Sequence, residues 1–121
     1  MGYGVRMTYH GACHCGRIGF EVDGDIDRVI ECNCSICSTR GTLLWMVPRE
    51  QLRLATPGAD VATYTFNTHK IQHRFCPSCG VATFSEGADK KGSPIAAVNV
   101  RCLDGVEPAS LKITQFDGRK L

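Results

Sequence analysis

Arg74–Phe84 reads RFCPSCGVATF, and the fold turns on how its two cysteines are used. C-x-x-C spacing lets two thiolates reach one ion from a tight turn. A glycine directly after the second cysteine, here Gly80, can take a positive φ and so turn backbone N–H groups towards the sulfurs. The residues after the glycine are strand-like, so a metal knuckle at the tip of a β-turn that feeds a sheet is expected. Working outward, Gly11–Phe20 repeats the arrangement as GACHCGRIGF, with Cys13 and Cys15 followed by Gly16 and another strand-like run. Between them Glu31–Gly41, ECNCSICSTRG, packs Cys32, Cys34 and Cys37 into six residues. Of the eight cysteines only Cys102, in NVRCLDG, stands alone.

Metal ligation competes with two other uses of clustered thiols. Disulfides would need strained bridges within C-x-C, and no feature of the sequence points to export. A C-x-x-C redox couple would need a βαβ pattern around Cys34 or Cys76, which is lacking. Zinc is the expected ion, with iron–sulfur ligation the lesser rival. Seven clustered thiolates divide naturally into four and three. Four close a zinc site that serves the fold, whereas three leave a position open for water or substrate. Spacing alone does not fix which cysteines group together, because Cys13 and Cys15 could also pair with members of the middle cluster.

The rest of the chain frames a small globular protein. In 121 residues 43% are hydrophobic and 21% charged, with no linker, charge block or repeat beyond the cysteine clusters, so a single domain over residues 1–121 is expected. A net charge of +2 without a basic stripe, and only 7% aromatic residues to stack on bases, argue against a nucleic-acid partner. The start, MGYGVRMTYHGACHCG, holds no signal-peptide core, and the longest apolar run is LLWMVP at Leu43–Pro48. A cytoplasmic protein that does not enter a membrane is expected.

Short β-branched and aromatic segments recur at Arg17–Val22, Arg28–Cys32, Leu43–Val47, Gln51–Ala55, Ala62–Asn67, Ile71–Cys76, Val81–Glu86, Ile95–Val100 and Lys112–Asp117, separated by turn-forming residues. The class is mainly β, with at most a helical turn at Pro108 and another around Pro48–Leu52.

The combination of CHCGRIGFEV, CNCSICSTRG, FCPSCGVATF and VNVRCLDG, in this order over nearly the whole chain, resembles the glutathione-dependent formaldehyde-activating enzyme family, also described as the formaldehyde-activating and centromere-protein-V domain. The resemblance implies an Mss4-like fold, in which several small antiparallel sheets are stapled by zinc knuckles. It implies that Cys13, Cys15, Cys76 and Cys79 hold a structural zinc and that Cys32, Cys34 and Cys37 hold a second, labile zinc of catalytic character. It also implies a carbon–sulfur lyase reaction run in the synthetic direction, joining formaldehyde and glutathione to S-hydroxymethylglutathione. On this reading the partner is a small thiol, there is room for a homo-oligomer, and the substrate thiol loses its proton on entering the three-cysteine site. A non-catalytic zinc module, its triad completed by Cys102 or a partner's residue, is the rival from another class. A lyase acting on a different thiol adduct is the third reading.

Other residues stand out less. His14 should face solvent, and His69 belongs to a hairpin turn. His73, three residues before Cys76, could hydrogen-bond near a ligand. Trp45 reads as core or as a pocket wall, Arg40 and Arg101 as surface residues or carboxylate partners, and Cys102 as a small buried residue.

Overall fold

The protein is described by a computed structural model over residues 7–118. Residues 1–6, part of the stretch read as lacking an export signal, and residues 119–121 lie outside the described residues.

Ten strands build two sheets among the described residues. The first holds β1 (Met7–Ala12), β2 (Gly19–Gly24) and β5 (Leu52–Leu54), in the order β1-β2-β5 and antiparallel throughout. The second runs β10-β3-β4-β9-β8-β7-β6, from β3 (Val29–Cys32), β4 (Leu44–Pro48), β6 (Ala62–Tyr64), β7 (Gln72–Phe75), β8 (Ala82–Ala88), β9 (Pro94–Asn99) and β10 (Ile113–Phe116). Its pairs are antiparallel except β10 with β3, which run parallel from Ile113↔Val29 to Phe116↔Cys32.

The mainly β expectation holds, and all nine expected strands are present within a few residues of their expected bounds. Short 3-10 turns at Arg49–Gln51 and Pro108–Ser110 occupy the two places where a helical turn was foreseen. Four elements of the described residues were not foreseen: β1, the six-residue helix α1 (Ser35–Arg40) and the 3-10 turns at Gly58–Asp60 and Val100–Cys102. No helix of the described residues is long and apolar enough to cross a membrane.

Apolar side chains from both sheets meet in one core: Phe20 and Val22 of β2, Trp45 and Val47 of β4, Phe84 of β8 and Val98 of β9. Phe20 and Phe84 pack with centroids 5.9 Å apart, and Trp45 meets Tyr9 edge-on at 5.6 Å, so Trp45 is a core residue. A second small cluster of Cys13, Ile18, Val61 and Cys76 lies where the β1–β2 turn of one sheet approaches the β7–β8 turn of the other.

Candidate metal centre

The two turns carry the same backbone device. After Ala12 the chain leaves β1 through Cys13 and Cys15, and after Phe75 it leaves β7 through Cys76 and Cys79. Gly16 (φ 84°) and Gly80 (φ 81°) take the left-handed conformation expected of them. Backbone amides turn onto the sulfurs as a result: Ile18 N–H donates to Cys13 Sγ at 3.3 Å, and Ser78 and Cys79 N–H donate to Cys76 Sγ at 3.3 and 3.4 Å.

Across the two turns the four sulfurs come together within 4.8 Å of one another. Cys15 Sγ lies 3.7 Å from both Cys13 Sγ and Cys76 Sγ. A tetrahedral ion with metal–sulfur bonds of about 2.3 Å would hold its sulfurs about 3.8 Å apart, so this donor set fits such an ion closely. The Val81 and Cys15 backbone N–H groups hold the Cys79 thiol down to about 6. Although the Arg17 N–H pulls the other way, burial and the thiols of Cys13, Cys76 and Cys79 push Cys15 up to about 11. Burial pushes Cys76 up but is outweighed by the Cys79 and Ser78 N–H groups and the neighbouring thiols, which hold it below the usual thiol value, so two thiolates form readily and Cys15 resists until a cation compensates it.

The second cluster is built differently. Cys32 ends β3, Cys34 caps α1 at its N-terminus and Cys37 lies in its first turn, so a strand end and a helix start present three sulfurs within 4.8 Å. The helix is held by Ser38 N–H to Cys34 O at 2.9 Å and closed by Gly41 N–H to Cys37 O at 2.8 Å. Burial, then the Cys34 and Cys32 sulfurs, push Cys37 up to about 12. Burial pushes Cys34 the same way but is outweighed: backbone N–H groups of Cys37 and Ile36 and the neighbouring thiols hold it below the usual thiol value. A cation fits here too, with three donors where the other cluster offers four.

Among the described residues no His, Asp, Glu or further Cys completes the triad. Cys102 sits elsewhere: its thiol donates to the Ala82 carbonyl at 3.4 Å, and burial, then the nearby Cys13 and Cys79, push it up to about 11. In place of a fourth donor, Cys32 and Cys34 border a cavity of about 490 Å³ walled by Phe66, Ile71, His73 and Gly118. Gly118 closes it tightly, since a Cβ there would come within 2.5 Å of Cys32 Sγ and 2.9 Å of Cys34 Cβ.

The secondary candidates distribute as follows. His14 and Arg101 are exposed, and His69 is in the turn after β6 with φ 58° and its Nδ1 2.8 Å from Thr65 Oγ1. His73 bonds to Ser85 rather than to a cysteine sulfur. Arg40 is half-buried over the Phe75 ring, 5.8 Å from its centroid. The cavity walls Phe66, Ile71 and Gly118 escaped the sequence reading: the first two sit on the β6–β7 turn, and Gly118 arrives through a strand pairing that no local pattern announces.

A family model described as glutathione-dependent formaldehyde-activating enzyme matches residues 8–116. The crystal structure of a Rhodobacter sphaeroides protein is similar to this chain at 29% identity and a TM-score of 0.74, covering 89% of this chain and 100% of that one.

Proposed function

Because the chain belongs to the glutathione-dependent formaldehyde-activating enzyme family, we propose that it is a zinc-dependent enzyme of carbon–sulfur lyase type that joins formaldehyde to a thiol, with glutathione the thiol the family points to. The observation that carries this reading is the open triad: three sulfurs within bonding reach of one ion, two of them (Cys32 and Cys34) on residues bordering a cavity of about 490 Å³, with no fourth donor among the described residues.

In this reading Cys13, Cys15, Cys76 and Cys79 hold a structural zinc, and Cys32, Cys34 and Cys37 hold the second. Zinc bound at the triad supplies the positive charge that lets a thiol bind as thiolate at neutral pH, where a free thiol is mostly protonated. The three cysteines bring three negative charges to that site, weakening its pull on water and favouring thiolate chemistry. The cavity walls then place the carbonyl compound beside the sulfur. The sulfur–carbon bond forms, the carbonyl π pair moves onto oxygen, and the proton given up by the thiol ends on that oxygen as the hydroxymethyl group. Residues 1–121 act as one domain, with two zinc ions per chain, in the cytoplasm.

The rival zinc module would need Cys102 or a partner's residue to complete the triad, and the nearness of Cys102 to Cys13 and Cys79 speaks against the first. A lyase for another thiol adduct would use the same site and differ only in substrate.

The test is zinc stoichiometry before and after dialysis against a mild chelator, with and without glutathione, followed by measurement of adduct formation. About two ions are expected, one labile and retained better with glutathione, together with faster adduct formation than in buffer. One ion only, or two that are equally resistant and indifferent to glutathione, would move the zinc module ahead.

A further inference from the structure

The reading above leaves unused the one buried histidine of the described residues. His73, on β7, is 8% exposed. Its Nδ1 lies 3.2 Å from Ser85 Oγ on β8, and its ring stacks on Phe66 at 5.4 Å with planes 25° apart. It lines the large cavity with Cys32 and Cys34, and also a small one of about 20 Å³ that Cys37 and Arg40 border. So the one imidazole stands between the open side of the triad and the space behind it.

Its second nitrogen is available. Nε2 has no protein partner among the described residues, yet it is not among their sealed, unsatisfied polar atoms. It is therefore not sealed, and the side chain that carries it lines both cavities. Burying an imidazole and leaving half its hydrogen-bonding capacity unused is costly unless something else takes it up. The other polar side chains at the large cavity, Ser35, Asn67 and Thr68, are exposed and already solvated, so a ligand gains less from them. Burial, then the Arg40 charge, hold the His73 pKa below its usual value, which keeps the ring neutral at pH 7.

We propose that His73 binds the oxygen of the carbonyl substrate, the oxygen that becomes the hydroxyl of the adduct, through Nε2. The inference rests on the reading of Cys32, Cys34 and Cys37 as an open thiol site. Phe66 and Ser85 fix the ring on two sides, so Nε2 is aimed without further ordering when substrate arrives. The neutral ring serves in either tautomer: Nε2–H donates to the carbonyl oxygen, and a bare Nε2 accepts from the product hydroxyl. His73 contributes no atom to the balance, since the thiol supplies the proton and its sulfur the bonding pair.

The test compares two thiols of the same shape, 2-mercaptoethanol and 1-propanethiol, which differ as hydroxyl against methyl. Their affinities for the zinc-loaded protein are measured by titration calorimetry for the unaltered chain, His73→Phe, His73→Gln and Ser85→Ala. His73→Phe keeps a ring against Phe66, and His73→Gln keeps a polar group. The affinity ratio of 2-mercaptoethanol to 1-propanethiol should fall about fivefold in His73→Phe, the size of one buried hydrogen bond. It should be partly restored in His73→Gln and fall less in Ser85→Ala. An unchanged ratio in His73→Phe overturns the proposal, as does an equal loss of both affinities together with the second zinc, which marks a structural role. If the unaltered chain binds neither thiol, the open-site reading fails and takes the inference with it. If the ratio falls as expected but the unaltered chain does not accelerate adduct formation from formaldehyde and glutathione, the reaction reading fails while His73 Nε2 stands as the group that binds a ligand oxygen beside the triad.

Discussion

Cys34 and Cys76 occupy similar C-x-x-C spacings but very different surroundings. Cys34 is half-buried at the head of α1 beside a cavity, whereas Cys76 is fully buried where the two sheets meet. Cys34→Ser should lose the second ion and adduct formation while the far-ultraviolet spectrum and the first ion remain. Cys76→Ser should leave the protein unfolded, because a structural zinc contributes on the order of 10 kcal/mol, comparable to the whole stability of a small domain at about 5–15 kcal/mol. Circular dichroism together with metal analysis of both variants checks the pair. His73 adds a pH signature. Burial, then Arg40, lower its pKa, so as pH drops through its ordinary value of 6.5 the unfolded chain takes up a proton that the folded one resists, and stability falls. Acid also strips thiolate-bound metal, so the comparison is with His73→Gln. Between about pH 7.5 and about pH 5.5 the denaturation midpoint of the unaltered chain should drop further than that of the variant.

At the scale of elements, the parallel pairing of β10 with β3 shapes the second site. Phe116 comes opposite Cys32, and two residues later Gly118 passes against the Cys32 sulfur with no space for a Cβ. Gly118→Ala should therefore displace Cys32 and weaken the second ion about tenfold or more, as losses of supporting contacts around metal ligands do, with the first ion unaffected. Competition with a chromogenic chelator reads this directly. The sequence does not announce this pairing, because parallel strands need no adjacent turn and these two are more than eighty residues apart. Helix α1 is hidden for another reason: SICSTR has weak helix formers, no side-chain cap bond and no buried residue, and it is one and a half turns long. By contrast, the knuckles were legible down to the sign of φ at Gly16 and Gly80, since C-x-C-G and C-x-x-C-G leave the backbone few ways to turn.

At the scale of the whole molecule, the four-sulfur group fastens the three-stranded sheet to the seven-stranded one, and the apolar core closes over the same junction. Val98, at 0% exposure on β9 between β4 and β8, is central to that core. Val98→Ala should cost about 2–3 kcal/mol in urea denaturation of the zinc-loaded protein without changing zinc content. Which cysteines make up the four and which the three followed from family resemblance, because spacing left it open, and the proximity of the β1–β2 and β7–β8 turns now supplies its physical basis. Gly118 at the cavity wall also bears on how the protein should be handled. A polyhistidine tag fused after Leu121 would begin four residues past Gly118, within about 14 Å of extended chain. Its imidazoles could reach the triad and take up the position offered to a thiol, so a tag at that end would mimic an inhibitor and should be cleaved before any activity is measured.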